Sequence, residues 1–337
     1  MAPDGESADD RLTFALVIPT HQRPELAAQA LESALRQTRP FDQIIVVADG
    51  LDDPALAALA TVVAAPLDVR AIAKAGVAAA RNAGVERAHT DWVCFLDDDD
   101  LLHPEYLARI EKEAMESPEI GAMNTEYWSF ADAAGDEDEF SASTLDECLT
   151  AIQTAVPRKD LGYLQIEGRS FDLLLERLRG SMSTAAVRRD LLLRAGGFPD
   201  GMITAQDWVM YVNVARLTEW RVLPHRLAFF RDHPRTATRT GSPRKGLTAL
   251  SAIRSYWQPS ELPTPPHRPL EAYRTYYRHV LTWTLRSCWL ARDARSYRQA
   301  LRIARDILPH RRDRLRAAAP RWLRARADAA RGRRRAE

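Results

Sequence analysis

The sequence predicts an α/β fold in which a mostly parallel, Rossmann-like sheet is flanked by helices and followed by a helical C-terminal region. From residue 12 to about residue 124, short apolar runs alternate with segments of helical periodicity, which is typical of repeated βα units. The chain has 337 residues, of which 46% are hydrophobic and 28% are charged. A chain of this composition can bury a large core and is unlike disordered or collagen-like proteins.

Four apolar runs are the predicted strands, because parallel strands that are covered on both faces are apolar along most of their length. These runs are residues 13–18, 43–47, 69–72 and 91–96. The segments between and after them predict helices at about 24–37, 54–63, 76–88 and 104–115. Beyond residue 130 the periodicity weakens, and the clearest remaining elements are a helix at 143–155 and a strand at 221–230.

Composition divides the chain into five predicted parts. Residues 1–11 form a flexible N-terminus, 12–125 a βα half, and 126–258 the second half of the same domain. Five prolines within 259–269 indicate a linker, and 270–337 is predicted to be helical and arginine-rich.

The net charge of +1 hides a strong asymmetry, because residues 301–337 contain 13 arginines against four acidic residues. This segment is predicted either to lie on an anionic membrane surface or to form a solvated charged helix. The first residues do not resemble a signal peptide, no apolar run is long enough to cross a bilayer, and the three cysteines fit no disulfide or zinc pattern. We therefore expect a cytoplasmic protein, with peripheral attachment to the inner face of the membrane as the alternative.

Polar residues directly follow three of the predicted strands, at residues 20–23, 49–50 and 97–100. Because ligands of such sheets bind at the carboxyl ends of the strands, these residues are expected to line one crevice. The four consecutive aspartates at 97–100 repel one another, which favours a bound Mg²⁺ or Mn²⁺ that in turn holds a phosphate-bearing ligand. The alternative is an acidic loop that caps the following helix near Pro104.

The motifs as an ordered set resemble family 2 glycosyltransferases, over about residues 12–240. The matching motifs in the βα half are Ala15-Leu-Val-Ile-Pro-Thr-His-Gln-Arg-Pro24, Ser33-Ala-Leu-Arg-Gln-Thr38, Ile44-Ile-Val-Val-Ala-Asp-Gly50, Ala79-Ala-Arg-Asn-Ala-Gly84 and Phe95-Leu-Asp-Asp-Asp-Asp100. Later motifs are Ala195-Gly-Gly-Phe-Pro-Asp200, Gln206-Asp-Trp208 and Phe230-Arg-Asp-His-Pro234. The resemblance implies a GT-A fold and inverting, metal-dependent transfer from a nucleotide-diphosphate sugar, with UDP-sugars favoured, to an acceptor hydroxyl.

The resemblance also implies roles for particular residues. It places the nucleotide sugar in the half at 12–125 and the acceptor and catalytic groups in the half at 126–258. The implied nucleotide-binding residues are Pro19, Thr20, Arg23, Asp49, Arg81, Asp97 and Asp98. The implied ligands of Mn²⁺ or Mg²⁺ are Asp97, Asp99 and His233. By their residue types alone, the alternatives are a turn residue for Asp49, a solvated charge for Arg81 and an exposed loop residue for His233.

Asp207 matches the general base of the family, which removes the proton of the acceptor hydroxyl. The preceding residue is Gln206 where the family has Glu, so we expect less carboxylate repulsion and an Asp207 that is readily ionised at neutral pH. Gln206 and Trp208 are predicted substrate contacts. The candidate platforms for a sugar ring are Tyr127, Trp128, Trp208 and Trp257, and some of these aromatic residues are expected to lie in the core.

Two other functions are weighed against glycosyl transfer. A metal-dependent nucleotidyltransferase usually has a glycine-rich loop after the first strand, and residues 19–23 contain no glycine. An adaptor that binds a membrane or nucleic acid would depend on the basic segment 301–337. We expect no nucleic-acid partner, and the aromatic stripe at 273–289 is predicted to pack in a core or in a homodimer interface.

Overall fold

The computed structural model describes residues 11–59, 67–131, 140–155, 165–232, 242–265 and 267–318. Within these ranges a nine-stranded sheet forms the centre of the molecule, with most strands in the order β3-β2-β1-β4-β8-β6-β9-β5 and with β7 paired to β6. The strands are β1 (Phe14–Thr20), β2 (Gln43–Asp49), β3 (Leu67–Ile72), β4 (Trp92–Phe95), β5 (Leu101–Leu102), β6 (Ala122–Ala131), β7 (Phe140–Ser141), β8 (Ala186–Arg188) and β9 (Trp220–Asp232).

Helices cover both faces of this sheet and continue into the C-terminal region. In the first half they are α1 (Pro24–Leu35), α2 (Pro54–Leu59), α3 (Val77–Arg87), α4 (Tyr106–Glu116) and α5 (Leu145–Ala151). In the second half they are α6 (Ser170–Glu176), α7 (Arg189–Arg194), α8 (Gln206–Val214), α9 (Pro243–Tyr256), α10 (Leu270–Leu290), α11 (Ala294–Ile307) and α12 (Arg311–Ala318). No helix in the described ranges is both long enough and apolar enough to cross a bilayer.

Strands β1 to β4 form the predicted parallel half of the sheet. Strand β1 is buried along its whole length and pairs in parallel with β2 on one side and β4 on the other. The second half is mixed, because β8 is antiparallel to both β4 and β6, whereas β6 and β9 are parallel. The predicted strand and helix positions are thus close to those observed, and the mixed pairing begins where the sequence periodicity weakens.

Small residues let α3 lie very close to the sheet. A Cβ atom added at Gly84 would lie 2.4 Å from Cγ1 of Val17 on β1, well inside van der Waals contact. Only glycine fits there without a shift of the strand or the helix. This close approach holds α3, and Arg81 on it, against β1 and β2.

The C-terminal helices share a core with the sheet domain. One buried cluster contains Val17 of β1, Met210 of α8, and Tyr273 and Tyr277 of α10. Helix α9 packs against α10 and α11. The helical layer therefore begins at Pro243, before the proline-rich segment.

The proline-rich segment is itself anchored to the domain. The guanidinium of Arg216 donates hydrogen bonds to the carbonyl oxygens of Pro263 at 3.2 Å and Tyr256 at 3.2 Å. The described residues of this segment thus lie against the core and do not separate two independent units.

Candidate active site

The carboxyl ends of β1, β2 and β4 open into a cavity of about 440 Å³, closed on the other side by the N-terminus of α8. Ten of the residues predicted from sequence line it: Pro19, Thr20, Arg23, Asp49, Arg81, Asp97, Asp98, Asp99, Gln206 and Asp207. The sequence therefore identified residues that lie together although they are up to about 190 positions apart. His233 lies outside the described residues.

Two arginines hold the outer aspartates of the run at 97–100. Arg81 donates from Nη2 to Oδ1 of Asp97 at 2.5 Å, and Arg23 donates from Nη1 to Oδ2 of Asp99 at 2.7 Å. Arg81 is only 3% exposed, so its charge is held inside the cavity wall. The alternative that Arg81 is a solvated charge is therefore wrong. Each pair offsets part of the carboxylate repulsion that the sequence implies.

The other two aspartates of the run are buried. Asp98 accepts a hydrogen bond from the Thr20 hydroxyl at 2.8 Å, and burial raises the pKa of Asp98 to about 7. Asp100 accepts from the Ser183 hydroxyl at 2.5 Å and from the backbone N–H of Arg231 at 2.9 Å. Burial raises the pKa of Asp100 well above its ordinary value. A partly protonated run is therefore a second way in which the repulsion is reduced.

The alternative that these aspartates cap a helix does not hold. Helix α4 begins at Tyr106, and the residue at its N-cap, Glu105, makes no side-chain capping bond. The aspartates instead bond to Arg23, Arg81, Thr20 and Ser183 across the sheet edge.

Asp49 binds the loop that leads into α3. Its Oδ1 accepts the backbone N–H of Ala75 at 2.7 Å, and its Oδ2 accepts that of Gly76 at 3.0 Å. Gly76 has a φ of 99°, a conformation that favours glycine. Asp49 thus fixes a turn, which was the alternative role given for it by residue type. It also lines the cavity, where its carboxylate oxygens keep lone pairs for a ligand.

Asp207 is the second residue of α8 and follows Ala205, whose φ of 63° is left-handed. Its Oδ1 accepts the backbone N–H of Trp208 at 2.7 Å. Burial raises the pKa of Asp207 above its ordinary value, and the nearby charge of Arg81 opposes this shift. The expectation of a readily ionised Asp207 was therefore incomplete, because it counted the missing carboxylate at 206 but not the burial of Asp207 itself.

Several buried polar atoms of the cavity wall have no hydrogen-bond partner within the described residues. They are Oε1 of Gln206 and the Nε and Nη1 atoms of Arg81. Gln206 is only 7% exposed. Because buried polar groups are nearly always satisfied, these atoms are positions where a ligand or an ordered water would supply the missing partner.

The prediction that Trp208 contacts substrate is wrong for this structure. The side chain is 5% exposed, and its indole N–H donates to the carbonyl oxygen of Leu174 at 2.5 Å. The indole packs edge to face against Tyr256, with ring centroids 5.5 Å apart. At helical spacing, Trp208 lies on the core side of α8, whereas Asp207 lies on the cavity side.

Some residues of the site were not singled out by the sequence. Ser183 and Arg231 fix Asp100, and Phe230 lines the cavity beside Tyr127, with ring centroids 5.6 Å apart. Arg231 and Phe230 belong to a recognised motif, so their position was a usable signal. Ser183 follows no strand and lies in a short 3₁₀ turn, Met182–Thr184, that no sequence pattern marks.

The aspartates suit a divalent cation only together with a ligand. No group of three His, Cys, Asp or Glu side chains that could hold a metal ion occurs within the described ranges. Asp97 and Asp99 nevertheless line the same cavity, and Mg²⁺ in particular is usually bound by one or two carboxylates together with substrate phosphates. These two carboxylates therefore fit an ion whose remaining ligands are phosphate oxygens and water.

Comparison with known proteins finds a family model and several glycosyltransferases that are similar to part of this chain. Residues 15–133 match the model of "Glycosyl transferase family 2". An uncharacterized glycosyltransferase from Haemophilus influenzae is 22% identical over 196 residues, which are 58% of this chain and 59% of that protein. The chain thus matches well under two thirds of this relative's length.

Solved structures of low sequence identity share the fold. The crystal structure of S. aureus TarS 1–349 in complex with UDP-GlcNAc superposes with a TM-score of 0.60 at 15% identity, covering 88% of this chain and 80% of that one. The mannosyltransferase PcManGT from Pyrobaculum calidifontis, in complex with GDP-Man and Mn²⁺, gives 0.57 at 18% identity, covering 90% and 83%. These matches show a segment similar to glycosyl transferase family 2 over residues 15–133, within a chain that has the fold of GT-A glycosyltransferases.

Proposed function

We propose that this chain is an inverting glycosyltransferase that moves a sugar from a nucleotide-diphosphate sugar to an acceptor hydroxyl in a single displacement. The observation that carries the proposal is the cavity itself. It brings the aspartates of β4, the arginines at 23 and 81, and Asp207 of α8 to one place. The family match over residues 15–133 supports the reaction class, and the charges of the cavity support the class of donor.

The charges of the cavity favour a diphosphate bound together with a cation. Five aspartates and two arginines line it. A diphosphate alone would be repelled by this surplus of carboxylates, whereas a cation between them makes both interactions favourable. Asp97 and Asp99 would hold Mg²⁺ or Mn²⁺ together with the donor phosphates, and the ion would stabilise the charge of the departing diphosphate. His233 stays a predicted third ligand.

The nucleotide is proposed to lie along the ends of β1 and β2. Pro19, Thr20 and Asp49 line that part of the cavity, and Asp49 has lone pairs left for an N–H of the base. Structural neighbours are known with UDP-GlcNAc and with GDP-Man. We favour a UDP-sugar as the donor, and titration with four nucleotides tests this choice.

Asp207 is proposed to act as the general base. As the acceptor oxygen forms its bond to the anomeric carbon, the bond from that carbon to the phosphate oxygen breaks and the hydroxyl proton moves to the Asp207 carboxylate. The nucleotide diphosphate leaves on the opposite side, so the configuration at the anomeric carbon is inverted. Burial raises the pKa of Asp207, which makes its ionised form a stronger base than an exposed aspartate.

Gln206 is proposed to contact the donor sugar. Its Oε1 is buried and lacks a partner within the described residues, and the residue lines the cavity beside Asp207. A sugar hydroxyl that donates to this oxygen would satisfy it. The Gln206 side chain is neutral, so it accepts a hydrogen bond without adding a negative charge next to the base.

The test is calorimetric titration of the purified protein with UDP, GDP, dTDP and CDP, each with Mn²⁺ and again with EDTA. We expect one diphosphate to bind in the presence of Mn²⁺ and to bind much more weakly with EDTA. In the Asp97→Asn/Asp99→Asn variant, Mn²⁺ should no longer strengthen the binding of the diphosphate. The control is Asp200→Asn, which changes an exposed aspartate of the loop before α8. If a folded protein binds none of the four, the proposed donor site is wrong.

A further inference from the structure

A second cavity, of about 710 Å³, lies between α10 and α12 in the C-terminal layer. We infer that it is a binding site for a phosphate group. The residues that line it are Arg274, Thr275, Arg278, His310, Arg311, Arg312, Asp313 and Arg316. This inference is independent of the proposed transfer reaction, because none of these residues lines the cavity at the strand ends.

The positive charge of this cavity is not balanced by its own lining. Asp313 is the one acidic side chain among the residues that line it, against five arginines. Its carboxylate is already used, because Asp313 is 6% exposed and accepts from Nη1 of Arg278 at 3.1 Å. The remaining guanidinium groups converge on the cavity and repel one another unless an anion lies between them.

The helix that forms one wall adds to this field. Arg311 and Arg312 are the first two residues of α12, where the helix dipole is positive. Cations are unfavourable in the first turn of a helix, and acidic residues are usually found there. An anion at this end would be stabilised by the helix dipole of α12 as well as by the two side chains.

The turn before α12 is fixed by hydrogen bonds. Arg314 donates from Nη1 to the carbonyl oxygen of Leu308 and, at 2.8 Å, to that of Pro309. Asp313 N–H donates to the carbonyl oxygen of His310 at 3.1 Å. These bonds fix the backbone from which the exposed side chains of Arg311 and Arg312 extend.

Arginine side chains favour phosphate over other anions. The planar guanidinium donates two parallel hydrogen bonds to a phosphate, and several such groups can surround its tetrahedral oxygens. The cavity is large enough for a phosphate that carries an organic substituent. Such a phosphate could be free in solution or belong to the headgroup of an anionic lipid. Trp289 and Leu315, on the same two helices, are 73% and 58% exposed. Exposed apolar side chains of this kind can contact lipid, so the test includes vesicles with an anionic lipid.

The test compares two variants of the full chain that lose the same charge. Arg311→Gln/Arg312→Gln changes the cavity, whereas Arg302→Gln/Arg305→Gln changes two exposed arginines of α11 that do not line it. The probes are inorganic phosphate and pyrophosphate by calorimetry, and sedimentation with vesicles of phosphatidylcholine alone or with 30% phosphatidylglycerol. Circular dichroism checks that both variants are folded.

We expect saturable binding of pyrophosphate that weakens as salt rises and becomes about tenfold weaker or more in the cavity variant, but not in the control. Sedimentation with anionic vesicles that is lost only in the cavity variant would identify a lipid headgroup as the source of the phosphate. The inference is overturned if the wild-type chain binds neither probe, or if the control variant loses binding as much as the cavity variant does.

Discussion

Two cavities in the described chain have linings of opposite charge. The cavity at the strand ends is lined by five aspartates and two arginines, whereas the cavity between α10 and α12 is lined by five arginines and one aspartate. In the first, both arginines are already paired with carboxylates. In the second, the one aspartate pairs with Arg278, so the positive charge of the other four lining arginines is not offset by a carboxylate of the lining. We therefore expect the first cavity to bind an anion together with a cation, and the second to bind one directly.

This difference also separates what a known family explains from what it does not. The family match ends at residue 133, so it includes the aspartates of β4 but none of the residues of the second cavity. The two regions nevertheless share one buried cluster. Ligand binding can therefore be tested at each cavity by itself, because the two linings share no residue. The shared cluster is tested through the free energy of unfolding of the whole chain.

The largest expected effect is at Asp207. Asp207→Asn keeps the size of the side chain but removes the carboxylate that accepts the proton, so we expect transfer to fall by about 10²- to 10⁴-fold. Nucleotide binding should change little, because Asp207 is proposed to contact the acceptor hydroxyl and not the nucleotide. The measurement is the steady-state rate of donor turnover, together with calorimetric titration of the nucleotide.

The control for this variant is Asp200→Asn, which should retain the wild-type rate. An equal loss of binding and turnover in Asp207→Asn would contradict the role of a base. It would indicate that Asp207 holds the donor, and the two halves of the cavity would then not be distinct in function.

The next effect tests whether the helical layer and the sheet domain unfold as one. A Cβ at Gly246 of α9 would lie 2.4 Å from Oγ1 and 2.8 Å from Cβ of Thr284 on α10. Thr284 is fully buried and β-branched, so it cannot turn away easily. We expect Gly246→Ala to lower the free energy of unfolding by about 1–3 kcal/mol.

The measurement is urea denaturation followed both by tryptophan fluorescence and by circular dichroism. Because the core is shared, the two probes should give one coincident transition at a lower midpoint. Ser255→Ala, an exposed change on the same helix, should stay within about 0.5 kcal/mol of wild type. Two separate transitions would show that the helical layer is an independent unit after all.

A smaller effect is expected at Gln206. Gln206→Leu removes the oxygen that is proposed to accept a sugar hydroxyl, so the KM for the donor should rise about 2- to 10-fold. The melting temperature should stay the same or rise, because the substitution also removes a buried oxygen that lacks a partner within the described residues. An unchanged KM would mean that the donor sugar lies elsewhere in the cavity.

Local patterns predicted the parallel half of the fold and the site residues that follow its strands, whereas Arg81, Gln206 and Asp207 were expected only from the family resemblance. Strands β1 to β4 are short apolar runs, and the polar residues after them face one crevice by the geometry of parallel sheets. The same patterns could not give the burial of Asp207 or the position of Trp208, since both depend on how α8 packs. The second cavity was also beyond them, because Arg274 and Arg311 come together only when α12 folds back on α10.

The finest test of the comparison concerns the charge that Arg81 gives to the first cavity. Arg81 lowers the pKa of Asp207, whereas burial raises it. A base must be ionised to act, so the rate at saturating donor should fall on the acid side as Asp207 becomes protonated. Arg81→Met removes the opposing charge, so the pKa of Asp207 should rise and the acid limb of the pH profile should move to higher pH. Arg81→Lys keeps a positive charge and should leave the acid limb closer to that of wild type.

An acid limb that stays in place in Arg81→Met, or that moves to lower pH, would mean that Asp207 is not the group whose ionisation limits the rate. The paired arginines of the acidic cavity would then serve only to bind the donor, as the arginines of the basic cavity are proposed to bind phosphate.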